Sequence, residues 1–218
     1  MKIAVIGLGF VGLSLTSVLA SRGNNVIGID IDVEKCKKIR GGISPFFEPN
    51  LEKMLRIGLK KKLTISDDFS LIKDCDMIFV AVGTPQKSNG AIELSMIKKA
   101  VTSIGRILAK SKKSPIVLIK STVIPGTMQN VILPILEKRS DKKAGKEFGL
   151  ISNPEFLQES SAIRNTKFPH VIVLGGYQTK FMKKAKSFFS TKIRLQSITN
   201  FLSMCFIELL LSFSNCFQ

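Results

Sequence analysis

Residues 2–6 form a short apolar, β-rich run that stops at glycines, and Val11, Leu15, Val18 and Leu19 then recur at helical spacing until Gly23. The pattern predicts strand, turn and helix. Residues 26–29 predict a second buried strand ending at Asp30, and the polar segment 33–40 predicts a helix after it, which completes a βαβ unit. Further apolar strands are predicted at 77–82, 116–119, 148–151 and 171–174. Leu94, Ile97, Val101, Ile104 and Leu108 mark one intervening helix, and Met128, Val131, Ile132 and Ile135 another. Continuous apolar strands alternating with amphipathic helices predict an α/β fold: a parallel sheet covered on both faces.

The pattern breaks near the end. All 33 basic residues precede Leu195, and residues 195–218 carry a single charge, Glu208. The apolar runs of this tail are interrupted by Ser203, Glu208 and Ser212, so they fall short of the roughly eighteen uninterrupted apolar residues of a membrane span. Residues 1–193 are therefore expected to form one domain and 194–218 an unassigned apolar tail.

Composition adds boundaries rather than a function. The chain is 44% apolar and 22% charged, with 33 basic against 16 acidic residues and a net charge of +17. A phosphate-bearing partner fits that charge. Nucleic acid is not expected, because clusters such as Lys60, Lys61 and Lys62 or Lys183, Lys184 and Lys186 carry neither arginine nor interleaved aromatics to read bases. Cys36, Cys75, Cys205 and Cys216 lack C-x-x-C spacing and no leader-like segment precedes them, which points to a reducing cytoplasm and to no metal site.

Gly7, Gly9 and Gly12 follow the first predicted strand and open the first helix, and Asp30 ends the next strand near the offset of about 20 residues that a dinucleotide site requires. Gly7 permits the tight turn, Gly9 lets the backbone approach a pyrophosphate, and Gly12 lets the helix pack close to the strand. The free N–H groups of the helix start favour phosphate. Asp30 can accept hydrogen bonds from a ribose and would repel a 2′-phosphate, so NAD is expected rather than NADP. Asp32 reads as a solvated helix-start residue. The fold expected is a Rossmann-type doubly wound parallel sheet.

Three later strands end in polar turns: 80–85, 120–127 and 152–159. In a doubly wound sheet these carboxyl ends form one ligand-facing rim. The segment 153–159 also reads as a turn and helix cap, with Glu155 as a first-turn acid.

The chain resembles the UDP-glucose/GDP-mannose dehydrogenases. The resemblance rests on MKIAVIGLGFVGLSL at the start, GGISPFFEPNL at 41–51, AVGTP at 81–85, IKSTVIPGT at 119–127 and SNPEFLQESSAI at 152–163, and covers roughly residues 1–190. That family oxidises the C6 alcohol of a nucleotide sugar to a carboxylate with two NAD, as in UDP-glucose to UDP-glucuronate. The resemblance implies NAD contacts at Val11, Asp30, Lys35, Thr84, Thr122 and Glu159. It implies a nucleotide-sugar site lined by Glu155, Phe156, Leu157, Gln158 and Glu159, with Glu155 and Glu159 near the reacting carbon and Thr122 holding a catalytic water. Carboxylates and a hydroxyl suit that chemistry, which needs a proton acceptor and an activated water. Asn50 stands where the family's E-P-G-L turn has glycine, and His170 is assigned no role.

Family members continue into a central helix bearing lysine and asparagine and a second domain whose glycine-rich segment carries a nucleophilic cysteine. Cys205 and Cys216 lack such neighbours and read as buried or incidental. The tail is expected to be divergent or truncated, a truncated or frame-disrupted gene product being preferred over a deliberately shortened chain or a divergent interaction helix that buries Leu209, Leu210 and Leu211 against a partner. The chain is accordingly expected to bind NAD yet be catalytically incomplete, and the dimerisation of relatives is not carried over to it. Two alternatives stand beside this: a non-catalytic NAD-binding module, and a dehydrogenase of the 6-phosphogluconate or 3-hydroxyacid type.

Overall fold

In the computed structural model the described residues are 1–176, 179–192 and, as backbone, 198–201. One eight-stranded sheet runs in the order β3-β2-β1-β4-β5-β6-β7-β8. Its strands are β1 (Lys2–Ile6), β2 (Asn25–Ile29), β3 (Leu63–Ser66), β4 (Met77–Val80), β5 (Ile116–Ile119), β6 (Gly149–Ser152), β7 (Ile172–Gly175) and β8 (Ile198–Phe201). Pairing is parallel from β3 across to β6. The expected doubly wound sheet is thus present, with a departure at its far edge, where β6 meets β7 in an antiparallel bridge between Ser152 and Gly175. β8 then pairs parallel with β7. It consists of residues 198–201 of the stretch expected as an unassigned tail.

The core follows from the strands' alternation. Ile3 and Val5 of β1 face one apolar layer and Ala4 and Ile6 the other, and all four are fully or almost fully buried. On the first face pack α1 (Phe10–Ser21), α2 (Val33–Arg40), α3 (Leu51–Leu59), α6 (Ala162–Lys167) and α7 (Thr179–Lys192). On the second pack α4 (Ser95–Ala109) and α5 (Leu133–Ser140). Ile97, Val101, Ile104 and Leu108, the stripe expected of a helix, are the buried face of α4. Strands buried on both sides explain why β4 and β5 read as continuous apolar runs.

Three local features go beyond the sequence expectation. β3 is a short edge strand directly after the lysine cluster 60–62, and its alternation spans only Leu63 to Ser66. α3 starts from Asn50, whose φ of 66° is left-handed, a conformation glycine and asparagine tolerate best; this accounts for Asn50 in the family's glycine position. The helix expected from Met128 onwards begins as a π-helical turn, Met128–Ile132, before α5, with Pro134 in the first turn of α5 lacking the N–H that an uninterrupted ladder would use.

Candidate functional site

The glycine loop sits at the carboxyl end of β1, where the sheet order reverses between β1 and β4. Gly7 holds a φ of 89° and donates its N–H to the carbonyl of Ile29 at 2.8 Å, and a Cβ there would lie 2.8 Å from the Ala81 carbonyl oxygen. Gly12 is tighter still, since a Cβ would fall 1.8 Å from the Gly7 carbonyl oxygen. Gly9, by contrast, caps α1 with nothing within 4 Å of where its Cβ would be. α1 starts with no side-chain cap and no acidic first-turn residue, so its first N–H groups and positive dipole end are left without a side-chain partner, next to the exposed Gly9 and the open space around it. Val11 is half-buried in that first turn.

Asp30 follows β2 and is 7% exposed. Its Oδ2 accepts the Leu8 N–H at 2.8 Å and the Lys35 ammonium at 3.0 Å, and its Oδ1 accepts the Asp32 N–H at 3.0 Å. The carboxylate therefore ties the glycine loop to α2 and neutralises Lys35 from within. Asp32, expected as a helix-start residue, caps α2 by accepting the Lys35 N–H at 2.9 Å.

The carboxyl ends of β4 and β5 are laced together. The Thr84 hydroxyl donates to the Thr122 carbonyl at 2.7 Å, and the Ser121 hydroxyl donates to the Val82 carbonyl at 2.6 Å. Thr122 itself is exposed on the rim. One strand further on, Lys120 and Glu155 form an ion pair at 2.6 Å, and the Glu155 Oε1 accepts the N–H of Phe156 at 2.9 Å. In the sequence Lys120 is an undistinguished member of 119–127, and its signal there is a basic residue directly after a buried strand.

Residues 153–158 are irregular and α6 begins only at Ala162. Glu155 is therefore not a first-turn helical acid, and the cap reading of this segment does not hold. Phe156, Gln158 and Glu159 are exposed and Leu157 half-buried. Among the described residues no hydrogen bond or ion pair joins Glu159 to Glu155 or Thr122.

Cys36 and Cys75 are free and buried; burial pushes the thiol of Cys36 up and that of Cys75 up to about 11, so neither is a ready nucleophile. Cys205 and Cys216, like Leu209 to Leu211, lie outside the described residues. Among the described residues no cluster of His, Cys, Asp or Glu is placed to hold a metal ion, and no helix is long and apolar enough to cross a membrane.

A parallel sheet with a glycine turn at its switch point, a helix start left free for phosphate and an acid after the second strand define a dinucleotide-binding domain of the dehydrogenase class. Residues 1–193 match the model of the UDP-glucose/GDP-mannose dehydrogenase family, NAD binding domain, and the chain belongs to that family. Its dinucleotide is NAD.

Among its relatives is the GDP-mannose 6-dehydrogenase of Pseudomonas syringae pv. tomato, 42% identical over 179 residues that make up 81% of this chain and 41% of the relative. The UDP-glucose 6-dehydrogenase of Haloferax volcanii is 36% identical over 175 residues, 80% of this chain and 41% of the relative. A solved ternary complex of GDP-mannose dehydrogenase from Pseudomonas aeruginosa superposes with a TM-score of 0.94 at 35% identity, covering 100% of this chain and 50% of that one. The chain thus spans about two fifths of the length of these curated relatives.

Proposed function

We propose that this chain supplies the cofactor-binding part of an NAD-dependent nucleotide-sugar 6-dehydrogenase, which oxidises the C6 alcohol of a sugar nucleotide to a carboxylate. The single observation that carries the reading is the free start of α1 beside Gly9, flanked by Asp30 on one side and by the β4 to β6 rim on the other. NAD, when bound, accepts the hydride removed from the sugar.

The chain's own residues divide the remaining work. Gly7 and Gly12 shape the turn, Gly9 and Val11 border the pyrophosphate, and Asp30 with Lys35 receives the adenosine ribose. Although Asp30 shares its charge with Lys35, a 2′-phosphate of NADP would have to sit against its carboxylate. Thr84, Thr122 and Glu159 line the nicotinamide half. Glu155, Phe156, Leu157, Gln158 and Glu159 border the sugar nucleotide, with Glu155 and Glu159 as the carboxylates near the reacting carbon and the Thr122 hydroxyl, whose carbonyl alone is engaged by Thr84, holding the water for the second oxidation.

The greater identity to the GDP-mannose than to the UDP-glucose enzyme favours GDP-mannose over the UDP-glucose expected from the motifs. The cofactor assignment is tested by calorimetry with NAD and NADP on the wild-type chain and on Asp30→Asn. That variant retains an oxygen for the Leu8 N–H but loses the charge. NAD binding in the wild type with a preference over NADP that shrinks about tenfold in Asp30→Asn is expected, in keeping with about 1.4 kcal/mol per decade; an unchanged preference removes Asp30 from the ribose site.

A further inference from the structure

Lys120 is the least expected member of the rim. It follows β5, donates its N–H to the Val80 carbonyl at 2.8 Å and is only 7% exposed, an unusual setting for a lysine. Its ammonium lies 2.6 Å from the Glu155 Oε2 and 3.2 Å from the Asn153 Oδ1.

Asn153 is itself fixed twice over. Its N–H donates to the Ile119 carbonyl at 2.8 Å and its side-chain amide donates to the Val173 carbonyl at 3.0 Å, so it is anchored to β5 and β7 together. It is 2% exposed. The cavity beneath the pair is walled in part by Leu15, Ile172 and Phe189, which keep bulk solvent from competing for the ammonium.

The two Glu155 oxygens are therefore both held, one by Lys120 and one by the Phe156 N–H. A carboxylate in an irregular segment would otherwise sample several rotamers, and ordering it in advance removes that entropy from the binding step. A lysine is suited to this because its three donors can be divided between Glu155 and Asn153 from one buried point.

We propose that Lys120 is the positioning residue of this rim: it fixes the carboxylate of Glu155, and with it residues 155–159, in the orientation that meets the nicotinamide half of the cofactor and the sugar. Lys120 acts through Glu155 and touches neither ligand. The inference rests on the assignment of the nicotinamide half to this rim.

The test uses the full chain with Lys120→Met, Lys120→Arg and Glu155→Gln. Amide ¹⁵N relaxation reads the order of 155–159 without any ligand, and calorimetry reads the ratio of NAD to ADP affinity, ADP lacking the nicotinamide half. Lys120→Met should loosen 155–159 and lower the ratio about tenfold while ADP affinity holds. Lys120→Arg should restore most of both, and Lys120→Met should add little in a Glu155→Gln background.

Unchanged order in Lys120→Met overturns the proposal. So does lost order with an unchanged NAD to ADP ratio, which would make Lys120 merely structural. If Lys120→Met does not fold, Lys120→Gln decides: it keeps a polar group towards Asn153 but loses the charge that holds Glu155, so unchanged order of 155–159 in it overturns the proposal. A wild-type chain that binds neither ligand refutes the cofactor assignment instead, and the order of 155–159 then judges Lys120 by itself.

Discussion

The glycine loop and the β4 to β6 rim occupy neighbouring strand ends, yet they are built from different materials. The loop is made of backbone. Its shape depends on atoms that are missing, because a Cβ on Gly12 would meet the Gly7 carbonyl oxygen at 1.8 Å. The rim is made of side chains reaching between strands: Thr84 to Thr122, Lys120 to Glu155 and Asn153 to Val173. A backbone site is rigid and tolerates almost no substitution where it is tight, whereas a side-chain site can be loosened without disturbing the fold. The difference suits the division proposed above, a pyrophosphate at the backbone end and a sugar at the side-chain end.

Gly12→Ala should give the largest effect and would break the comparison if it did not. The added methyl has no flexible neighbour to displace, since the nearest atoms are the Gly7 backbone oxygen and carbon, at 1.8 and 2.9 Å. Overpacking normally costs about 1–3 kcal/mol; with rigid backbone on the other side, the upper end of that range or more is expected, together with loss of NAD binding. Urea unfolding measures it. A loss below about 0.5 kcal/mol would show that α1 can slide away from β1, and the loop would no longer qualify as a rigid cradle.

Gly9→Ala sharpens the same contrast at smaller scale. No atom lies within 4 Å of the new methyl and the φ of −76° suits any residue, so the cost is that of a poorer N-cap alone, about 1 kcal/mol or less. The open space is where the pyrophosphate is proposed to approach, so NAD affinity should fall about tenfold, or about 1.4 kcal/mol. Two neighbouring glycines would thus separate folding from binding. Weakened folding with intact NAD affinity would contradict that division.

The same contrast explains what the sequence made visible. Gly7, Gly9, Gly12 and Asp30 form one local βαβ unit, so spacing alone placed them at the correct strand ends. β5 was legible to the residue because a strand buried on both faces is apolar without interruption. β3 was not, since an edge strand with the pattern buried, exposed, buried, half-buried over four residues barely differs from a loop. Lys120 stayed hidden because its meaning lies in a pairing across a crossover, and short-range periodicity carries no record of such pairings. Asn153 was read as part of a turn for the same reason: its side chain's partner is a carbonyl on β7, a strand whose antiparallel bridge to β6 no parallel-sheet rule anticipates.

The smallest effect is expected away from both sites, at Asp76, just before β4. Burial alone would raise its pKa, but the Lys2 N–H at 2.8 Å and the Lys113 ammonium at 3.0 Å outweigh burial and hold the carboxyl below its ordinary range. A carboxyl with a depressed folded-state pKa stabilises the fold above its unfolded-state value of about 3.8, and that contribution is lost as the pH falls through the lower folded-state value. With the two side chains 24% and 44% exposed, solvent screening limits the contribution to under about 1 kcal/mol. Asp76→Asn should therefore lower the urea midpoint slightly at pH 7, and the gap should close towards pH 2 because both chains then carry a neutral group there. NAD affinity should be the same in both chains, since Asp76 lies at the opposite end of β4 from the rim. A gap that persisted unchanged in acid would mean that the Lys2 N–H is lost to the variant for reasons of shape rather than charge.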